Sequence, residues 1–222
     1  YLLVLGVAQD GGYPHIGCLR ECCNRAWEDP GLRAYRVSLA LVHPGNREWW
    51  LFEATPDLNE QLHLFRELTH AEYDYLPAGI FVSHAHTGHY TGLALLGREA
   101  MNCRGVPVYC LPGMKTFLGN NGPWSQLVSL GNITVYEMSP DLPQELNTDL
   151  KVTAFQVPHR EEYSETAGFR IFTGERNYLF IPDVDKWSKW DRDIVQEVLR
   201  SDAAILDGTF FSPGELPGRR MD

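Results

Sequence analysis

Three histidines within six residues are the clearest candidates for chemistry in this sequence. His84, His86 and His89 directly follow the apolar run 79–82, which favours a short β-strand. Side chains two residues apart in an extended chain point the same way, so His84 and His86 can converge on one ion. His89 comes from the next turn, where Gly88 allows a tight bend. Imidazole is a common metal ligand, so this spacing predicts a metal site rather than a polar surface loop.

Two further candidate ligands come directly after strand-like runs. His159 follows the run 150–157, and Asp183 follows the run 178–181. An aspartate after a strand is often a turn or capping residue, and we expect Asp185 to cap the helix that follows it. Combined with the triplet, the two residues add a fourth nitrogen and a carboxylate that could complete one ion's coordination or bridge two ions. The predicted ligands are His84, His86, His89, His159 and Asp183.

A hydrolytic reaction is the simplest chemistry for such a ligand set. Zinc is the expected ion, one or two at the site, with manganese or iron as alternatives. An open coordination position would hold a water whose pKa falls to roughly 7, which gives a metal-bound hydroxide at neutral pH. Asp183 and His159 are the predicted catalytic residues, since Asp183 could orient this water as well as bind the ion. Arg160 could bind an anionic substrate group, or be a plain surface charge.

Composition limits the classes of partner. The chain has 222 residues, 44% of them hydrophobic, which is enough for one compact domain with a sizeable core. Its 19 basic and 29 acidic residues give a net charge of -10, which disfavours nucleic-acid binding. The longest apolar runs, such as 1–8 and 37–42, fall short of the roughly 20 residues that a membrane helix needs.

We therefore expect a soluble protein with a small-molecule substrate and neither nucleic acid nor membrane as partner. A removed signal peptide leaves cytoplasm and periplasm both open, and the pattern does not predict an oligomeric state.

Strand-like and helical runs alternate along the chain. Strands are expected at 2–7, 37–42, 48–52, 79–82, 106–110, 133–137, 150–157, 167–172, 178–181 and 203–206, with hairpins through 43–46 and 173–177. Helices are expected at 57–68, 92–99, 112–118, 124–130 and 187–200, and a long loop follows 9–12. Polar ligand candidates at strand ends, with helices between the strands, predict two sheets with helices outside, a layered α/β fold.

The order of these motifs resembles a known family. A strand, H-x-H-x-x-H, a strand-end histidine and a strand-end aspartate are similar to the metallo-β-lactamase superfamily, an αββα sandwich of metal-dependent hydrolases and some oxidative enzymes. More closely, the chain resembles PqqB proteins of pyrroloquinoline quinone (PQQ) biosynthesis. The matching segments are spread over nearly the whole chain, at 8–14, 91–93, 122–124, 157–160, 165–169, 181–187 and 206–211.

Departures from the family pattern change what the resemblance implies. The superfamily loop is usually H-x-H-x-D-H, and Gly88 stands at the position of its aspartate, so we expect one ion or an uneven pair. Restoring this carboxylate, Gly88→Asp, is expected to increase the affinity for a second ion. PqqB proteins lack the histidines that stand here as His84 and His86, which makes this site more similar to that of a hydrolase.

The resemblance also implies a metal-ligand histidine near the C-terminus. No histidine follows His159 in the sequence. We therefore expect this ligand beyond Asp222, so that residues 1–222 form a single metallo-β-lactamase-like domain without its C-terminal portion.

A cysteine cluster offers a second metal site. Cys18, Cys22 and Cys23 lie where PqqB and the related cyclic phosphodiesterase PhnP carry clustered cysteines that bind a structural zinc ion. Adjacent cysteines are awkward joint ligands, and His15 is one candidate for a fourth. The alternative is that they are buried as small apolar residues, as we expect for Cys103 and Cys110.

These observations predict a metal-dependent hydrolase of a small ester, lactam or phosphodiester. Two alternatives remain: a PqqB-like iron-dependent oxidative enzyme of quinone cofactor biosynthesis, and a metal-binding protein without catalytic activity.

Overall fold

The computed structural model of the protein describes residues 1–210, and its strands form two sheets. The first sheet contains β1 (Leu2–Gly6), β2 (Ser38–His43), β3 (Glu48–Phe52), β4 (Gly79–Phe81), β5 (Val106–Cys110) and β6 (Ile133–Glu137). The second contains β7 (Pro143–Glu145), β8 (Lys151–Val157), β9 (Thr166–Phe172), β10 (Asn177–Ile181) and β11 (Ala203–Leu206). Residue 211, which ends the similar segment 206–211, lies outside the described residues.

Short helices connect the strands. The α-helices are α1 (Glu21–Glu28), α2 (Leu58–Leu68), α3 (Thr87–Tyr90), α4 (Pro112–Asn120), α5 (Trp124–Ser129) and α6 (Ile194–Leu199). Short 3-10 helices lie at Pro30–Leu32, Thr91–Leu96 and Trp187–Lys189. Over residues 1–210, the protein contains no helix with the length and apolar character that a membrane span requires.

Strand direction brings the candidate ligands to one edge of each sheet. In the first sheet, β2 runs antiparallel to β1 and β3, and β3 to β6 are parallel, so all strands except β2 end at the same edge. In the second sheet, β9 is antiparallel to β8 and β10, and β11 is parallel to β10, so β8, β10 and β11 share an edge. Loops at the carboxyl ends of parallel strands are where α/β sheets bind ligands.

Alternating side chains explain how two sheets share one core. On β2, Leu39 and Leu41 pack with residues of the second sheet, whereas Ala40 and Val42 belong to the cluster on the opposite face. This period of two follows from the pleat of an extended chain. Since both faces are covered, residues 39–42 are all apolar, which is why this run could be recognised as a strand.

Helices cover the outer face of both sheets. Leu62 of α2, Met114 of α4 and Leu127 of α5 are buried in the cluster outside the first sheet. Outside the second sheet, Trp190 and Ile194 pack with residues of β8 and β10. The expected layered α/β arrangement, a metallo-β-lactamase-like αββα sandwich, is therefore confirmed.

Two helix expectations were wrong. The expected loop after 9–12 contains helix α1, because Cys23 and Ala26 on one of its faces are buried. The single helix expected at 187–200 is broken: the Trp190 ring stacks on Phe155, and the helix begins only where Asp193 accepts a hydrogen bond from the backbone N–H of Val195. Packing of one aromatic ring thus overrides a continuous helical pattern.

Smaller departures concern one helix and one strand. The helix expected at 92–99 is the short 3-10 helix Thr91–Leu96, and the edge strand β7 was not expected. Gly88 lies inside helix α3 and does not make the tight bend assigned to it.

Candidate metal centre

Four of the predicted ligands meet between the edges of the two sheets. His84 and His86 follow β4, His159 follows β8, and Asp183 follows β10. One ligand atom from each lies within 4.8 Å of the ligand atoms of the others. The histidines after β4 lie 73 to 99 positions before His159 and Asp183 in the sequence, and the packing of one sheet on the other brings them together.

Each histidine of the centre has one ring nitrogen held by a neighbouring side chain. His84 Nδ1 lies 2.8 Å from Ser83 Oγ, and His86 Nε2 lies 2.8 Å from Glu162 Oε2. His159 Nδ1 lies 2.8 Å from Asp185 Oδ1. Such partners fix the orientation and tautomer of a ligand histidine. The opposite ring nitrogens are thereby left to face one another across the centre.

The separations of these facing atoms suit a small divalent ion. His159 Nε2 lies 3.1 Å from His86 Nδ1, and Asp183 Oδ2 lies 3.5 Å from both His84 Nε2 and His159 Nε2. Ligands at about 2.1 Å from a tetrahedral zinc ion are about 3.4 Å apart. His84 Nε2 is buried without a hydrogen-bond partner among the described residues. Three nitrogens, one of them buried and unpaired, and one carboxylate therefore fit a metal ion of the zinc type.

Electrostatics keeps the centre in a state that can bind a cation. Burial, followed by the neighbouring His89, lowers the pKa of His84 to about 3, so His84 is neutral at ordinary pH. Burial of Asp183 opposes its ionisation, but contacts with His84 and His89 outweigh burial and hold the pKa of the carboxyl below its usual range. A neutral imidazole and an ionised carboxylate are the forms in which these groups bind metals.

His89 lies in a second, adjoining group. Its Nε2 is 2.9 Å from Asp10 Oδ1 and 3.3 Å from Asp183 Oδ2, and these three residues offer ligand atoms within 4.8 Å of one another. Its Nδ1 lies 3.1 Å from Glu53 Oε2. Burial lowers the pKa of His89, but the carboxylates of Glu53, Asp10 and Asp183 together raise it well above the usual value. The five predicted ligands thus form two groups that share Asp183.

Four carboxylates of the site were missed in the sequence, including Glu162, which lies in the loop after β8 and holds His86. Asp10 lies in the loop after β1, Glu53 directly follows β3, and Asp185 lies two residues beyond Asp183. Each follows a strand that ends at the ligand edge, which is the signal that could have found them. The capping role expected for Asp185 was wrong, since its carboxylate holds His159.

Arg160 lies at the rim of the centre. Its side chain is 62% exposed and its guanidinium lies 3.5 Å from Glu162 Oε1. Glu162 also holds His86, so Arg160 is linked to the candidate metal centre through Glu162. Binding of an anionic substrate group by Arg160 stays a prediction.

The three clustered cysteines differ in exposure and, in the described part of the chain, do not form a group of metal-ligand atoms. Cys18 is half-buried, Cys22 is exposed and Cys23 is buried. Across residues 1–210, the groups of side chains close enough to share an ion include no cysteine. The ring of His15 bonds through Nδ1 to the carbonyl oxygen of Ile16. A structural zinc ion at these cysteines stays a prediction, while Cys103 and Cys110 are buried in the core, as expected.

Comparisons with known proteins agree with the fold. Residues 48–220 match the family model of the beta-lactamase superfamily domain. The coenzyme PQQ synthesis protein B of Methylorubrum populi is 25% identical over an alignment of 240 residues, which covers 97% of this chain and 75% of that protein. The protein of the same name from Gluconobacter oxydans is 25% identical, with 97% of this chain and 74% of that protein covered.

Solved structures of the same fold superpose on this chain. Zinc-bound PqqB from Methylobacterium extorquens superposes with a TM-score of 0.75 at 21% identity, covering 94% of this chain and 72% of that one. A diphosphatase from the PhnP family gives a TM-score of 0.58 at 23% identity, covering 81% of this chain and 63% of that one. At this identity the likeness concerns the fold. By the family match over most of its length, the chain belongs to the beta-lactamase superfamily.

Proposed function

We propose that this protein is a metal-dependent hydrolase of a small ester, lactam or phosphodiester. The observation that carries the proposal is the arrangement of the histidines, each held through one ring nitrogen while the other faces the centre. Such preorganisation suits a reaction in which ligands keep their positions while charge develops on the substrate.

The residues of the centre would have different roles in hydrolysis. A bound zinc ion would lower the pKa of a coordinated water and polarise the substrate oxygen. Asp183 remains ionised, so its carboxylate can accept a hydrogen bond from the attacking water and orient it. Asp185 accepts a hydrogen bond from the Nδ1–H of His159 and thereby keeps His159 Nε2 directed at the centre.

Hydrolysis is favoured over oxidation by the ligand set. His84 and His86 supply two of the nitrogens, and PqqB proteins lack both. The exposed guanidinium of Arg160, at the rim, is placed for a phosphoryl or carboxylate group of a substrate. Hydrolases of this superfamily use the same order of ligands, which supports the same reaction class.

The test is a comparison of metals and oxygen. Zinc-, manganese- and iron-loaded protein would be assayed aerobically and anaerobically against a panel of small esters, lactams and phosphodiesters. We expect turnover with zinc or manganese that is independent of oxygen and is lost in Asp183→Asn. Asp191→Asn, at an exposed position of the same segment, is the matched control and should behave as wild type.

A PqqB-like oxidative role is the second candidate, because the similarity to PQQ synthesis protein B covers 97% of the chain. Open sites of histidine and carboxylate also suit iron and oxygen chemistry. Turnover that requires both iron and oxygen would favour this role in quinone cofactor biosynthesis. Bound metal without turnover under any condition would favour a non-catalytic metal-binding protein.

A further inference from the structure

The carboxylate of Asp10 lies where a side chain at position 88 would have to be. A Cβ atom placed on Gly88 would lie 2.1 Å from Asp10 Oδ1 and 2.7 Å from Asp10 Cγ. No side chain fits there while Asp10 keeps its position. The carboxylate that the superfamily carries at position 88 is therefore missing from the histidine loop, and a carboxylate from a loop 78 positions earlier fills the space beside it.

The buried, unpaired Nε2 of His89 independently indicates a ligand in this space. His89 is 1% exposed, and its Nε2 has no hydrogen-bond partner among the described residues, although two carboxylate oxygens lie within 3.3 Å. The contacts are close, but their geometry is not that of hydrogen bonds. A buried unpaired nitrogen costs free energy unless something binds it. An ion between His89, Asp10 and Asp183 would bind this nitrogen and neutralise the two carboxylates.

The loop that carries Asp10 is held through its backbone. Arg36 Nε donates a hydrogen bond to the carbonyl oxygen of Asp10 at 2.6 Å, and Arg36 itself is paired with Asp57 at 2.7 Å. Gly12, with a φ of 75°, allows the chain to turn so closely past the Arg36 guanidinium. Since Arg36 is satisfied by a carbonyl group and by Asp57, the Asp10 carboxylate is left to face His89.

We propose that Asp10 replaces the absent carboxylate of position 88 and, with His89 and Asp183, binds a second divalent ion. Asp183 would then bridge the two ions, because its Oδ2 is 3.3 Å from His89 Nε2 and 3.5 Å from His84 Nε2. Bridged pairs in two-metal sites are about 3.5–4 Å apart, which a single carboxylate can span. The inference shares the metal site of the proposed function but does not depend on which reaction is catalysed.

This arrangement changes what is expected of one sequence-based prediction. Gly88→Asp alone, expected to increase affinity for a second ion, would instead push Asp10 aside. The exchange Asp10→Gly with Gly88→Asp moves the carboxylate to the superfamily position at constant charge, and it should restore the second site.

The test uses manganese as the probe, because imidazole and carboxylate ligands accept it while thiolates prefer softer metals. Metal-free full-length protein would be titrated with Mn²⁺, and both the bound ions per chain and the electron paramagnetic resonance of an exchange-coupled pair would be recorded. Wild type should bind two ions with a coupled spectrum. Asp10→Asn should keep one uncoupled ion and bind the second more than about 10-fold more weakly. Asp191→Asn is the control, and circular dichroism checks that each variant is folded.

Two results would overturn the inference: a wild-type protein that saturates with one Mn²⁺, or an Asp10→Asn variant that keeps the coupled pair. Rescue of the pair by the exchange variant would support it even if Asp10→Asn folds poorly. A coupled pair without hydrolysis would leave this inference standing and remove the proposed function. Hydrolysis with a single ion would do the reverse.

Discussion

The histidine centre and the cysteine cluster both gather side chains that bind metals, but they differ in how those side chains are supported. In the centre, partners such as Glu53 and Asp185 hold one ring nitrogen of each histidine in place. In the cysteine cluster, Cys22 and Cys23 lie side by side on helix α1, where one is exposed and the other buried. Successive residues on an α-helix point about 100° apart, so these two side chains enter different surroundings.

This difference shows what turns a cluster of ligand types into a site. Strand ends present side chains from a rigid sheet, and neighbouring polar side chains then fix their direction. A short surface helix offers neither kind of support. Spacing in the sequence indicates a metal site most reliably where it coincides with the end of a buried strand.

Removing a ligand of the histidine centre should have the largest effect. His84→Ala or His159→Ala should lose the ion of the first group and lower activity by more than about 100-fold, because loss of a residue that only orients a ligand already costs about 10–100-fold. The sheets should stay folded, since both residues follow strands rather than lie within them. Metal content and circular dichroism are the measurements.

The matched control for these variants is His63→Ala. His63 lies exposed on α2, where it contacts Glu67 in the next turn. This variant should keep the metal content and activity of wild type. Equal metal content in wild type, His84→Ala and His159→Ala would contradict the assignment of the centre.

Removing a supporting carboxylate should have an intermediate effect. Glu53→Gln and Asp185→Asn preserve shape but change the acceptor of a histidine N–H, so metal affinity should fall by about 10–100-fold. The measurement is a competition titration with a chelator, and Asp191→Asn serves again as control. Unchanged affinity in both variants would mean that the difference in support between the two regions has no energetic weight.

The cysteine cluster should respond least, and unequally. Without a bound ion, Cys23→Ser places a hydroxyl in a buried site and should lower the free energy of unfolding by about 1–3 kcal/mol. Cys22→Ser, at an exposed position, should change it by less than about 0.5 kcal/mol. Thermal unfolding measures both. Equal losses together with release of zinc would show that the cysteines do hold a structural ion.

A thiol titration sharpens the same point. Burial raises the pKa of Cys110 to about 12, so Cys110 should resist modification in the native protein, as should the buried Cys103. Cys22, which is exposed, and Cys18, whose pKa is lowered chiefly by a backbone hydrogen bond from Arg20, should react first. If Cys18, Cys22 and Cys23 all react at once in the native state, they bind no zinc.

Local patterns were enough for most of the fold. The run 37–42 is apolar at every position up to its turn apart from one serine, and 48–52 follows the turn, so the hairpin of β2 and β3 could be predicted. Helix α2 was evident from apolar residues at helical spacing. The prediction of one helix at 187–200 was wrong because the sequence pattern is helical in isolation. In the structure, Trp190 stacks on Phe155, 35 positions earlier, and the helix is interrupted there.

The sequence by itself determined the fold class and the positions of the first group of candidate ligands, because strand periodicity and strand-end histidines depend on near neighbours in the chain. Tertiary structure alone decided which carboxylates join them. Asp10 meets His89 across 79 positions, and Glu53 meets it across 36. These contacts follow from the parallel course of β1, β3 and β4, which no local pattern encodes. The same packing places the Asp10 carboxylate in the space that a side chain at position 88 would occupy.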